Sequence, residues 1–255
     1  MLSKPLLKQS VRSNWVMWSS ITGVMSVLCM QFSALDMVQN LLFVIFYGMM
    51  TTILPAIYVL VTANKLLAGQ VDRGSMAYIL SAPIKRSTVT FTQLTFLVGS
   101  LAAMFGVQTL IHLAVNAFKP MSLATAFGDP TLPVPGDLTS SMILKINRSS
   151  FAVCVAMAAV CFMFSGIFSS SKYSVGISGA FIGVTILSNM LAMFGGLGVG
   201  GLDKFKYLTI CSFYDHNSVL SQNNDWLIKM IFPLVIAAAA FTVGSQVFKR
   251  KDLPL

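Results

Sequence analysis

Residues 151–170 read FAVCVAMAAVCFMFSGIFSS and contain no charged side chain. A helix needs about 20 predominantly apolar residues to cross the hydrocarbon core of a bilayer, so this stretch predicts a transmembrane span. Apolar stretches of similar length lie on both sides of it. The sequence therefore predicts six spans, at residues 15–35, 41–63, 89–116, 151–170, 174–197 and 226–248.

The composition of the whole chain agrees with a polytopic membrane protein. Of its 255 residues, 56% are hydrophobic and only 10% are charged, and the mean hydropathy is +0.79. These values are too apolar for a soluble domain of this size. We expect an all-α membrane protein in which residues 1–255 form a single transmembrane domain.

The positions of the charges predict the orientation of the chain in the cell membrane. If the N-terminus is cytoplasmic, 11 of the 17 Lys and Arg residues fall on the inner side and 6 on the outer side. This excess has the direction that the positive-inside rule requires. We therefore predict that both termini are cytoplasmic.

The N-terminal segment, residues 1–13, predicts a helix that lies in the membrane interface. Lys4, Lys8 and Arg12 recur every four residues and therefore share one helical face, while apolar residues lie on another. Such a helix directs its cations toward anionic headgroups. We call it the elbow helix; a solvated basic tail is the alternative interpretation.

Two segments on the outer side, 119–150 and 198–225, are longer than simple turns. The first contains four prolines, which favour turns, and its later part, LTSSMILKINRSS (138–150), is compatible with an interfacial helix. The second carries the amphipathic stretch FKYLTICSFY (205–214), which we expect at the outer membrane surface.

A polar segment separates the second and third spans. Its sequence from Val71 to Ser87, VDRGSMAYILSAPIKRS, holds four charged side chains. Asp72 is placed to cap the start of a helix, and Met76 and Leu80 belong to one apolar stripe of that helix. A helix of about nine residues is marginal alone in water, so we expect the segment over 72–81 to dock against a soluble partner.

The stretch ANKLLAGQVDRGSMAYILSAPIKRSTVTFTQ (63–93) resembles the first cytoplasmic loop of membrane-spanning permease subunits of type-2 ABC exporters. The resemblance extends to SGIFSSSKYSVGISGAF (165–181) and to the basic end VFKRKDLPL (247–255). The order of the elements also matches that family: an elbow helix, six spans, a coupling helix in the first loop and a basic tail.

The resemblance implies that the chain is the permease subunit of an ATP-driven exporter. In that family the coupling helix, here within 64–87, sits in a groove of a separate ATPase subunit. The residues implied in this contact are Asp72, Arg73, Gly74, Ser75, Met76, Tyr78 and Leu80. The implied partners are two copies of the ATPase, membrane lipid and a second permease, identical or related.

Catalysis is not expected in this chain. It contains no Gly-Lys dipeptide, so a GxxxxGK[ST] phosphate loop is impossible, and ATP and Mg are expected on the partner ATPase. No catalytic or metal-binding residue and no cofactor are predicted here.

Exporters of the class carry lipids, polysaccharides, drugs and amphipathic or antimicrobial peptides. The 16 Met and 19 Phe residues suit an adaptable path for amphipathic cargo, and favour a toxin-like peptide.

Small residues form faces on the third and fifth spans. These residues are Gly99, Ala103 and Gly106, and Gly176, Gly179 and Gly183. Such faces let helices approach closely. They predict helix packing within the subunit or, alternatively, the seam of a permease dimer.

A secondary transporter that works without an ATPase is the alternative function. It predicts carboxylates and broken helices in mid-membrane, and the cores of the predicted spans contain no carboxylate.

His112 and Asn116 lie one turn apart near the outer end of the third span, and we interpret them as residues that form hydrogen bonds at the interface. A membrane-embedded enzyme is disfavoured because the two histidines, His112 and His216, are far apart in sequence.

Overall fold

A computed structural model describes residues 2–35, 42–81, 84–121, 137–196, 200–214, 218–219 and 225–251. The α-helices in these ranges are α1 (Lys4–Ala34), α2 (Thr51–Leu66), α3 (Ala68–Asp72), α4 (Ser75–Ser81), α5 (Arg86–Phe118), α6 (Ser140–Ile167), α7 (Ser171–Gly196) and α8 (Asp225–Arg250). A π-helical segment, Leu42–Met50, runs directly into α2, and two 3₁₀ helices, Leu202–Leu208 and Ile210–Phe213, precede α8.

Within the described ranges, six helices are long and apolar enough to cross a membrane. They are Lys4–Ala34, Ile45–Leu66, Arg86–Phe118, Ser140–Ile167, Ser171–Gly195 and Asp225–Arg250. These ranges contain no β-strand. The predicted class, an all-α multi-pass membrane protein with six spans, is confirmed.

Residues 151–167 belong to α6, the central helix of the bundle. α6 contacts α2, α5, α7 and α8, and 72% of its most apolar window is buried inside the protein. Ala156, Ala158 and Ala159 are fully buried. Their small side chains let neighbouring helices approach from several sides, which is how helices associate where no water drives them together.

The elbow helix is not a separate element. α1 runs without a break through residues 4–34, because its only proline, Pro5, lies in the first turn, where proline is tolerated. Lys4, Lys8 and Arg12 are exposed, as expected.

Hydrogen bonds to α5 hold the first half of α1 against the bundle. Ser10 Oγ donates to Gln93 Oε1 over 2.8 Å, and Trp18 Nε1 donates to the Ser100 carbonyl oxygen over 2.8 Å. The buried face of this half is therefore partly polar. Hydropathy alone does not identify such a face.

Two of the outer features also differ from the prediction. The interfacial helix expected within 138–150 is the beginning of α6, which starts at Ser140 rather than near residue 151. No proline or glycine separates Ser140 from the apolar part of the span, so the helix continues. Much of the proline-rich part of 119–150 and the second histidine, His216, lie outside the described residues.

The first and last described parts of the chain, at Ser3 and Lys251, lie at the same end of the bundle, which we call the termini end. Arg86, at the start of α5, donates from Nη1 to the Lys251 carbonyl oxygen over 2.6 Å. Lys251 Nζ donates to the carbonyl oxygen of Ile167, at the end of α6, over 2.6 Å. The Ser3 backbone N–H donates to Thr92 Oγ1 over 3.0 Å. This end also carries α3 and α4.

Candidate functional site

A helical corner, residues 68–81, projects at the termini end between α2 and α5. α3 ends at Asp72, and Gly74 takes a left-handed conformation with φ +70°. The Gly74 N–H donates to the Val71 carbonyl oxygen over 3.0 Å, and the Ala77 N–H donates to the Gly74 carbonyl oxygen over 3.1 Å. Glycine is favoured at this position because the left-handed conformation costs other residues about 1–2 kcal/mol.

The helix predicted over 72–81 begins three residues later, as α4 at Ser75, and a second short helix, α3, precedes it and ends at Asp72. Asp72 is the last residue of α3 rather than the cap of α4. The physical reason is Gly74, because a left-handed residue after a helix ends that helix and redirects the chain. The sequence located the helical segment correctly but missed the turn within it.

The corner is rooted in the bundle by apolar side chains. Met76 is fully buried, with 0% of its surface exposed, and Val71 is 6% exposed. Both belong to the cluster of core residues that includes Leu66 and Leu67. Met76 was predicted to contact a soluble partner, but in this structure its side chain is covered by the chain itself. The turn at Gly74 folds α4 back, and Met76 packs into this chain.

Hydrogen bonds fasten the corner and its approach to neighbouring spans. The Ala68 N–H donates to Ser165 Oγ over 3.0 Å, which connects α3 to α6. Asn64 Nδ2 donates to Ser171 Oγ over 2.6 Å, which connects α2 to the start of α7. These two bonds connect the corner, and the helix that leads into it, with α6 and α7.

The outward side of the corner carries most of the other predicted contact residues. Asp72, Arg73 and Gly74 are exposed, and Tyr78 is 84% exposed. We call these four residues the corner surface. Ser75 is half-buried, and its Oγ donates to the Gln70 carbonyl oxygen over 3.1 Å. The side chain of Leu80 lies outside the described part of the chain. Tyrosine and arginine are enriched among the residues that dominate binding at interfaces.

The small-residue faces leave open space beside most of their glycines. A Cβ atom added to Gly99, Gly106, Gly176 or Gly183 would meet no described atom within 4 Å, whereas one at Gly179 would contact Leu60 of α2 at 4.0 Å. Ala103 is exposed beside the first two. Packing within the subunit and a dimer seam both stay predictions for these faces.

α6 and α8 approach each other closely at two glycines that were not predicted from the sequence. A Cβ on Gly166 in α6 would lie 2.6 Å from the carbonyl oxygen of Gly244 in α8, and a Cβ on Gly244 would lie 2.7 Å from the Met163 Cα. No spacing motif links residues so distant in sequence. Their pairing is visible only in the folded bundle.

A buried polar network occupies the half of the bundle away from the termini end. The Tyr47 hydroxyl and His112 Nδ1 lie 2.5 Å apart, and Asn147 Nδ2 donates to the Tyr47 hydroxyl over 3.1 Å. Asn116 is not part of this network, because its Nδ2 donates to the Leu138 carbonyl oxygen over 2.9 Å. His112 is therefore a buried residue that forms a hydrogen bond between helices, and Asn116 forms a separate one.

The corner surface is exposed, and Val71 and Met76 at the base of the corner are buried in the bundle. Among the described residues, no group of three His, Cys or acidic side chains is placed to hold a metal ion. No family model matches the chain, and no curated protein matches it.

Proposed function

We propose that the chain is the permease subunit of an ATP-driven exporter and that its termini end faces the cytoplasm. A separate ATPase binds the corner surface and carries ATP and Mg. The observation that supports this most is the corner itself, which exposes Tyr78 and buries Met76 two residues away. A loop that only connects two spans does not need a helix that is packed into the bundle by a buried side chain.

The contacts of the corner suit mechanical coupling. α3 is hydrogen-bonded to Ser165 near the end of α6, and α6 contacts four other membrane-spanning helices. Movement of the corner therefore acts on the centre of the bundle rather than on its edge. Rigid-body tilting of the helices is the expected response when the ATPase closes.

A second permease subunit, identical or related, completes the proposed exporter. The open glycine faces of α5 and α7, at Gly99, Gly176 and Gly183, support it because a Cβ atom at these positions would meet no described atom of this subunit. Two subunits with two ATPases would enclose a path for an amphipathic cargo, and we favour a peptide. The 16 Met and 19 Phe side chains of the chain suit such a cargo.

The alternative, a secondary transporter without an ATPase, draws on the buried network of Tyr47, His112 and Asn147. The described spans offer this network no mid-membrane carboxylate, because the one acidic residue within them, Asp225, begins α8. Coupling to protons or sodium usually relies on such groups. The exporter is therefore the better-supported proposal.

Site-specific photo-crosslinking tests this function. A benzophenone amino acid replaces Tyr78 or, as the matched control, Tyr207, which is 83% exposed in the segment between α7 and α8. In native membranes we expect the Tyr78 probe to form an adduct with a protein that mass spectrometry identifies as an ATPase with a phosphate loop. The Tyr207 probe should form no such adduct. If neither probe reaches an ATPase while the protein is correctly inserted, the proposal fails.

A further inference from the structure

An open groove of about 400 Å³ lies between α5 and α6, in the half of the bundle away from the termini end. Its apolar walls are Phe105, Leu110, Leu113, Leu144 and Phe151. The lining residues of α5 extend over 102–113, which corresponds to a length of about 16 Å at 1.5 Å per residue. The groove therefore has the length and polarity to hold most of an acyl chain.

The floor of the groove is kept free by small residues. Ala102 and Gly106 line it, and both are exposed. A Cβ on Gly106 would meet no described atom within 4 Å. The rings of Phe105 and Phe151 pack edge to face with centroids 5.8 Å apart. Since both residues line the groove nearer the middle of the bundle, this pair marks its inner end.

A cation lies at the outer part of the groove. Arg148 lines the groove and is exposed, and no hydrogen bond or ion pair joins it to any residue in the described ranges. About 20 residues cross the hydrocarbon core, so counting back from Ile167 at the end of α6 places Arg148 near the opposite membrane boundary. A guanidinium at this depth reaches toward the headgroups, as long cationic side chains do.

An acceptor without a partner lies beside this cation. Asn147 lines the groove and is 3% exposed. Its Nδ2 donates to the Tyr47 hydroxyl over 3.1 Å and to the Ile143 carbonyl oxygen over 2.9 Å, whereas its buried Oδ1 has no hydrogen-bond partner in the described structure. Because less than 1 Å² of this oxygen is accessible, a ligand in the groove does not reach it, and the guanidinium of Arg148 is the polar group that the groove offers.

We propose that this groove binds an anionic glycerophospholipid of the phosphatidylglycerol type. One acyl chain lies between α5 and α6, and the phosphate pairs with Arg148. The charge decides the class, because an arginine without a described counter-charge favours a lipid with net negative charge. Phosphatidylcholine fits less well, since its cation lies near Arg148. This binding site does not depend on the proposed export function.

Lipid retention by the purified protein tests the proposal. The full chain is delipidated in detergent, titrated with phosphatidylglycerol or phosphatidylcholine, and measured by native mass spectrometry. Arg148→Gln should weaken phosphatidylglycerol binding about tenfold, the effect of losing a charge-assisted hydrogen bond. Lys145→Gln is the matched control: Lys145 is one turn away on α6, lies over the Trp226 ring at 5.6 Å, and is not part of the groove lining. Its variant should bind like the wild type.

A second variant fills the groove instead of removing its charge. Gly106→Leu places a side chain in open space and should abolish lipid binding without unfolding the protein, whereas Gly176→Leu, in open space on α7, should not. Equal binding of both lipids by the wild type, or wild-type affinity in Arg148→Gln, overturns the proposal. It is also overturned if Gly106→Leu disrupts a dimer and leaves lipid binding unchanged, because the groove is then a protein interface.

Discussion

Gly166 and Gly244 meet where α6 crosses α8, and a Cβ on Gly166 would lie 2.6 Å from the Gly244 carbonyl oxygen. The obstacle is backbone rather than a flexible side chain, so an added methyl group cannot be accommodated by a change of rotamer. The two helices would have to separate along an extensive contact. A glycine-to-alanine substitution at this crossing therefore shows how closely α6 and α8 pack.

We predict that Gly166→Ala and Gly244→Ala each destabilise the protein by about 1–3 kcal/mol, the usual cost of overpacking. Thermal unfolding in detergent measures the effect. Gly99→Ala is the control, since its Cβ would meet open space. An unchanged midpoint in both crossing variants would show that α6 and α8 do not approach this closely.

The turn at Gly74 should determine whether the corner holds its shape. Gly74→Ala forces a Cβ into a left-handed conformation at about 1–2 kcal/mol, whereas Gly74→Asn should be milder because asparagine visits that conformation more readily. The readout is a thiol introduced by Met76→Cys, a position that is fully buried in the wild type. We expect faster labelling in the alanine variant than in the asparagine variant. Equal protection in both would contradict the assigned turn.

Neighbouring residues of α4 should have opposite roles. Met76→Ala removes a fully buried side chain and should cost about 2–5 kcal/mol of stability. Tyr78→Ala removes an exposed ring, and should leave the thermal midpoint unchanged while lowering recovery of the ATPase in co-purification. The two measurements, made on both variants, separate folding from binding. Full ATPase recovery with Tyr78→Ala would exclude the corner surface as the docking site.

The orientation in the membrane is open to thiol labelling in intact cells. Tyr207→Cys should react with an impermeant maleimide from outside, and Tyr78→Cys should react only after permeabilisation. The native background is low because all four cysteines are buried and free. Burial also raises the pKa of Cys211, outside the spans, to about 11, which keeps it in the unreactive thiol form at neutral pH. Labelling of Tyr78→Cys from outside would reverse the proposed topology.

The six spans could be predicted from the sequence because the requirement is local. A bilayer of fixed thickness demands about 20 apolar residues in succession, and stretches such as 151–170 meet it without reference to any neighbour. The helical segment between α2 and α5 could also be located from local sequence, because charged side chains interrupt the apolar stretches there. Helix ends were less predictable. α1 and α6 each extend beyond their apolar runs, because no residue in the adjoining polar turns stops a helix.

The contacts of individual side chains were decided only by the tertiary structure. The apolar stripe of the corner predicted that Met76 contacts a soluble partner. In the structure the chain turns at Gly74, the Met76 side chain packs into the bundle, and Tyr78 is exposed. The glycine faces were visible in the sequence, yet the close crossing formed at Gly166 and Gly244. The hydropathy of a residue describes how readily it partitions from water into the membrane. Which residues touch depends on how helices distant in the chain are arranged, and that information lies in no single stretch of sequence.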